Sequence, residues 1–294
     1  MPWFDHPAYR PLRDELIARF RARKVAFASL KHVVFLCGGN NSSRRDYLYE
    51  YLGKWVPEAL VFQADDVWRR IASSTLLNAL EMEAQLAALA DAVIIIVESP
   101  GTFAELGAFS NSEALRKKLI PILDQEYEEA QSFINTGPVR WIDADSKFRP
   151  AVFVNLDSIL SAADKILERL QRLAPPSEQR IGNFADYPKH LLFFVRDILA
   201  VVGPATANHI ERYMTQILGV QPPPIISLLG LAQSLGLVES DNVGTVTYYF
   251  VRMTDDFKAV VRKKFFELPN ERAKVVSVLQ TIEAAREPLK LLSR

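Results

Sequence analysis

At 294 residues the chain is long enough for two domains, and 49% hydrophobic with 24% charged residues describes a globular protein with a sizeable core. The 35 basic residues balance 35 acidic ones, which excludes the strongly basic surface of a free nucleic-acid binder, although a local patch can hide in the balance. The single cysteine, Cys37, excludes an internal disulfide and any cysteine-cluster metal site. No apolar run approaches the roughly 20 residues of a membrane span. The N-terminus (Pro2, Asp5, His6, Arg10) lacks a signal-peptide pattern, so the expectation is a cytoplasmic protein.

Residues 7–24, rich in Arg and Leu, predict a surface helix ahead of a sheet. Lys31-His-Val-Val-Phe-Leu36 predicts a buried strand, ending in Cys37-Gly-Gly-Asn-Asn-Ser-Ser-Arg-Arg45. A strand, a glycine turn and a polar helix start make an anion-binding arrangement. Gly38 and Gly39 would bring backbone amides near a phosphate, and Arg44 or Arg45 would neutralise it. The Lys-Ser/Thr pair of a Walker motif is missing, as is the full Gly-x-Gly-x-x-Gly fingerprint, and a plain tight turn also explains the glycines. Cys37 reads as a small buried apolar residue within this candidate binding turn.

Ala59-Leu-Val-Phe62 predicts a short second strand followed by Gln63-Ala-Asp-Asp66, whose acids would contact a ribose or base, or cap a helix starting near Val67. A helix over 75–90 (Leu76, Leu77, Leu80, Leu86, Leu89) leads to Asp91, at the amino end of the next strand and therefore structural. That strand, Ala92-Val-Ile-Ile-Ile-Val97, is apolar throughout and predicts burial on both faces of a parallel sheet.

The next run, Glu98-Ser-Pro-Gly-Thr-Phe-Ala-Glu-Leu-Gly-Ala-Phe109, is the most informative in the chain. Its turn falls at the carboxyl edge of the sheet, where open α/β sheets bind ligands. Ser99 and Gly101 belong to that turn, and Gly101 allows close backbone approach. Glu105 falls in the first turns of the following helix, placed to attack or stabilise an electron-poor carbon such as the anomeric carbon of a nucleoside. An acid there also simply complements the helix dipole. Glu98 would be the second carboxylate of a pair facing the same pocket, or a cap of the turn.

A helix over 104–117, a strand Leu119-Ile-Pro-Ile-Leu123, a loop Ser132–Arg140, an edge strand Phe153-Val-Asn155 and a closing helix Asp157–Leu173 complete the first domain. Ala174-Pro-Pro-Ser177 marks a linker. Helices over 188–202, 205–217 and 225–235 follow, then a hairpin (Leu237-Val-Glu-Ser, turn Asp241-Asn-Val-Gly244, strand 245–251) and a final helix from about Asp255. Helix-turn-helix then hairpin is a winged-helix order. The base-reading helix of such a domain would be 225–235, which has no Arg or Lys; the basic cluster is Lys258 and Arg262-Lys-Lys264 instead. Sequence-specific DNA reading is thus disfavoured against docking to a protein or ribonucleoprotein. The expected fold is α/β: a Rossmann-like (flavodoxin-like) parallel-sheet domain over 1–175 and a mostly helical winged-helix-like domain over 176–294.

The Glu-Leu-Gly element after a buried strand resembles the nucleophile motif of nucleoside 2-deoxyribosyltransferases. Phe35-Leu-Cys-Gly-Gly39, Glu98-Ser-Pro-Gly101, Glu105-Leu-Gly-Ala-Phe-Ser-Asn111, and Ser132-Phe-Ile-Asn135 with Gly137-Pro-Val-Arg140 together resemble the deoxyribosyltransferase-like effectors of bacterial retrons. The likeness is dense over 31–142. It implies a toxin-effector of anti-phage defence, controlled by a reverse transcriptase and its multicopy single-stranded DNA/RNA. It also implies cleavage of an N-glycosidic bond, most plausibly in NAD, which would be substrate and not cofactor. Glu105 would act at the anomeric carbon, the acid at Asp66 rather than Asp65 would sit near the base, and Asn135 would reach into a neighbouring subunit of a homo-oligomer. Deoxyribosyl transfer is the alternative outcome. Pro100-Gly-Thr-Phe-Ala-Glu105 also resembles the motif of cytokinin-activating phosphoribohydrolases, with one glycine absent. A nucleotide-sensing winged-helix transcription regulator is the non-enzymatic alternative.

Overall fold

The computed structural model describes residues 3–22, 26–28, 30–71, 78–175, 177, 179–181, 188–222, 224–252 and 267–293. The chain forms two compact units, Lys31–Pro176 and Met1–Leu30 with Ser177–Arg294. Helix α1 (Arg10–Ala22) and strand β1 (Ala26–Ala28) therefore belong with the C-terminal residues, whereas the sequence pattern had placed residues 1–30 with the sheet. The reason is an apolar face that a sheet-side reading overlooks. Leu16, Ile17 and Phe20 of α1 are buried, and Phe20 meets Phe194 edge-on at 5.7 Å.

In the first unit, β2 (His32–Cys37), α2 (Ser43–Trp55), β3 (Ala59–Phe62), α3 (Ala64–Ile71), α4 (Ala79–Leu89) and β4 (Ala92–Ile96) follow in turn. Then come α5 (Pro100–Asn111), α6 (Glu113–Arg116), β5 (Leu119–Asp124), α7 (Arg140–Asp145), β6 (Val152–Val154) and α8 (Ala163–Leu170). The sheet is parallel throughout with order β3-β2-β4-β5-β6. Counted within the sheet this is 2-1-3-4-5, the flavodoxin-like arrangement. All five residues of β4 are buried, as expected for a strand covered on both faces.

Local chemistry shifts several boundaries. Ser99 caps α5, so that helix opens at Pro100 rather than 104, and Ser112 ends it before the one-turn α6. Asn78 caps α4 at Ala79; residues 75–77 of the expected helix lie outside the described residues. The closing helix is broken at Ser158, where a 3-10 turn Leu156–Ala162 precedes α8.

The second unit continues with β7 (Gln179–Ile181), which pairs antiparallel with β1, then α9 (Pro188–Val202), α10 (Ala207–Leu218) and α11 (Ile225–Ser234). A hairpin of β8 (Glu239–Val243) and β9 (Val246–Phe250), α12 (Leu268–Gln280) and α13 (Glu283–Leu289) complete it. Val243 pairs with Val246, so the turn is Gly244-Thr245, with Gly244 at φ +63°, later than the pattern suggested. The helix start near 255 and the basic cluster Lys258 and Arg262–Lys264 lie outside the described residues. Among the described residues no helix is long and apolar enough to cross a membrane.

The N-terminal segment is fixed to α10 by an aromatic cluster. Trp3 lies 4.5 Å from the His209 ring, Phe4 stacks on it at 5.3 Å, and Tyr9 Oη meets Tyr213 Oη at 2.6 Å. Burial, reinforced by Arg212, pushes the His209 imidazole down to about 4. Unfolded histidine takes its proton near 6.5, so between about 6.5 and 4 the unfolded chain binds more protons and stability falls as pH drops. The loss should reach about 3 kcal/mol at the acid end of that window. Amide protection factors of residues 207–218 should therefore decline from pH 7 to 4.5, and His209→Gln should flatten that decline; an unchanged profile in the variant would contradict it.

Candidate active site

Strands β2 and β4 are neighbours whose outgoing connections run to opposite sides, and such a switch point opens a crevice at the carboxyl edge. The residues following these strands meet there. The Glu98 carboxylate accepts the Gly39 amide at 2.9 Å and the Arg44 guanidinium at 3.0 Å. Arg44 also holds Asp157 at 2.8 Å. The Gly39 amide and Arg44, expected to meet a phosphate, are thus engaged by the protein's own carboxylates. Ser99 and Thr102 form a reciprocal capping box that fixes the start of α5.

With α5 so anchored, Phe103 and Glu105 project about 200° apart around its axis. They line different pockets. Glu105 shares a pocket of about 30 Å³ with Cys37, Gly38, Arg45, Asp65 and Glu83. Phe103 lines one of about 440 Å³ with Arg44, Glu98, Asp124, Tyr127 and Asn135. Glu98 and Glu105 therefore do not face one pocket, as their spacing had suggested.

The small pocket has the electrostatics of an acid–base site. Burial first, and the charge of Glu83 second, push the Glu105 carboxyl up to about 8, against the opposing pull of Arg45. Glu105 Oε2 is buried with no hydrogen-bond partner among the described residues. Burial and Asp65 raise Glu83 as well. The two carboxyls lie close enough for the charge on Glu83 to raise Glu105, and Glu105 is the one pushed furthest. Burial raises the Cys37 thiol well above its ordinary value, so it stays a neutral donor beside Glu105. Arg45 packs across Gly38 and pairs with Asp65 at 2.8 Å.

Glu83 is the residue that sequence reading missed. Its only local signal is an acid next to Met82 on a helix with a buried face, and α4 carries Glu81 as well. Nothing in that spacing tells which acid turns toward Glu105. Of the two acids after β3, Asp65 lines the small pocket, while Asp66 pairs with Arg69 and lines neither pocket. Gly101 is exposed, and Ser99 serves as a cap. Asn135 donates to the carbonyls of Tyr127 and Ala130 at 2.7 and 2.9 Å, so it closes its own loop and lines its own chain's large pocket. Among the described residues no group of three or more His, Cys, Asp or Glu side chains is placed to hold a metal.

Residues 41–240 match the family model described as STM3845 retron effector protein, well over half of the chain. The chain belongs to that family. A retron Ec73 protein of Escherichia coli, named provisionally as a ribosyltransferase/DNA-binding protein, is 28% identical over 246 residues, 73% of this chain and 76% of that relative. The retron Ec86 protein of Escherichia coli with the same provisional name is 42% identical over 116 residues, 38% of each chain. Glu83, Glu98, Glu105 and Asn135 lie inside the matched family region, whereas Cys37, Gly38 and Gly39 precede it.

A Cβ on Gly38 would stand 2.9 Å from Arg45 Cβ, so α2 must shift to admit one. Gly38→Ala should cost about 1–3 kcal/mol, seen as a lower urea midpoint with unchanged slope. A wild-type midpoint would show that the turn is looser than its packing indicates.

Proposed function

We propose that this retron effector is an N-glycosidase that hydrolyses a nucleotide, most plausibly NAD to nicotinamide and ADP-ribose, as a toxin in anti-phage defence. The observation that carries the reading is Glu105, half-buried with Glu83 in one small pocket at the switch point and raised to about 8. Two carboxyls with unequal environments are the usual equipment for glycosidic cleavage. The ionised Glu105 carboxylate stabilises or captures the positive anomeric carbon as the bond to the base breaks. Glu105 gives up its proton to solvent before the reaction, and the ionised Glu83 takes one from the incoming water. The bond between ring nitrogen and ribose breaks, water supplies the new C–O bond, and the base leaves with the bonding electron pair. A cationic base such as nicotinamide departs neutral, so no acid is required behind it. Asp65 and Cys37 border the reacting centre in place of Asp66.

The second unit fits an adaptor with a winged-helix-like order that docks to a reverse transcriptase and its multicopy DNA. Support comes from α11: Ile225, Leu228, Leu229, Leu231 and Ala232 are buried, so the helix that would read bases is a core helix. Self-association belongs to the same proposal, with Phe133, 81% exposed beside Asn135, as an apolar contact.

Glu105→Gln should abolish release of nicotinamide from NAD while leaving the fold intact. In wild-type protein kcat/KM should rise with pH up to about 8, because the carboxylate is the working form. Glu83→Gln removes the like charge and should move that limb to lower pH. A Glu105→Gln variant with wild-type turnover, or a limb that ignores Glu83→Gln, would refute the assignment.

A further inference from the structure

The 440 Å³ pocket shares no lining residue with the small pocket at Glu105: of the α5 side chains, Phe103 lines the first and Glu105 the second. Its size suits a nucleoside. Its polar lining is dominated by acceptors. Arg44, the cation in the lining, already holds both Glu98 and Asp157. Asp124 uses Oδ1 to cap the turn at Gln125–Tyr127, accepting the Glu126 amide at 3.0 Å, and its other oxygen has no partner among the described residues. The Asn135 amide nitrogen is taken up by backbone carbonyls, which leaves its oxygen. Phe103 and Tyr127 line the pocket while 42% and 57% exposed, and neither ring has an aromatic partner among the described residues.

We infer that this pocket is a second ligand subsite, which takes an uncharged aromatic heterocycle bearing an amino group, such as the adenine of a nucleoside, and turns away anionic groups. Flat apolar rings stack on the heterocycle, and the carboxylate and amide oxygens accept from its amino group. Phosphate finds no unengaged cation. Displacing Glu98 from Arg44 to create one would strand a carboxylate whose side chain is only 7% exposed. The inference rests on the N-glycosidase reading only for what the ligand is. It is either the far half of the substrate cleaved at Glu105 or a separate small effector, and both present the same heterocycle.

The test is direct binding to the full-length Glu105→Gln protein, so turnover plays no part and the outcome is independent of the catalytic assignment. Calorimetry with adenosine, inosine and adenosine 5′-monophosphate varies the amino group and the charge separately. Adenosine should bind at least about fivefold more tightly than inosine, since a donor paired with a carboxylate is replaced by an acceptor facing one. The monophosphate should bind no more tightly than adenosine. Asp124→Asn keeps the cap, because Asn caps as well as Asp, and should erase most of the adenosine preference. Phe103→Ala should weaken adenosine by about fivefold or more. In wild-type protein, competitive inhibition of base release by adenosine identifies the far half of the substrate; an effect on kcat alone identifies a separate effector. Equal binding of adenosine and inosine, no binding of either, or adenosine affinity unaffected by both variants would overturn the inference.

Discussion

The constraint that shapes the pocket at the switch point is the closeness of two carboxyls, Glu83 and Glu105, in a space of about 30 Å³. In water both would ionise well below neutral pH; here burial and the nearby like charges raise both. The arrangement weighs on stability in one direction. The unfolded chain releases the Glu105 proton near 4.5 and the folded chain near 8, so folding becomes less favourable as pH rises between them. Cys37, and more weakly Arg45, which lies against Gly38 and pairs with Asp65, draw the Glu105 value down.

The backbone holds this pair with few parts. Parallel β2 and β4 place their carboxyl ends side by side, with Cys37 opposite Ile95. The Glu98 carboxylate then ties the β2 turn to the β4 turn through the Gly39 amide, and Arg44 extends the tie to Asp157 after β6. The capping box at Ser99 fixes the rotation of α5, and that rotation decides that Glu105 turns to the small pocket and Phe103 to the large one. Glu98 thus ties the two turns together, and the carboxyl that shares the small pocket with Glu105 comes from α4.

The sheet was legible because its strands are short apolar runs, two of which, β2 and β4, lead into glycine-bearing turns, and the position of Glu105 on the helix after the wholly apolar β4 was legible from the same pattern. Glu83 was not, since its role comes from the packing of α4 against α5 and leaves no local trace. The same limit applies to Asp65 and Asp66: adjacent helical residues differ by about 100° in direction, and only the structure shows that Asp65 takes the Arg45 contact. The N-terminal helix was placed with the wrong unit because an amphipathic helix does not declare which core receives it. The aromatic partners of Phe20 in that helix and of Trp3 and Phe4 before it, Phe194, His209 and Tyr213, lie about 170–210 residues onward in the chain.

The central claim is that Glu105 is protonated at neutral pH because of where the fold puts it. Carboxyl-carbon NMR titration of the full-length protein, with the Glu105 resonance assigned by its loss in Glu105→Gln, reads that directly. The account predicts a midpoint of about 8. A midpoint near the ordinary glutamate value of 4.5 would contradict it.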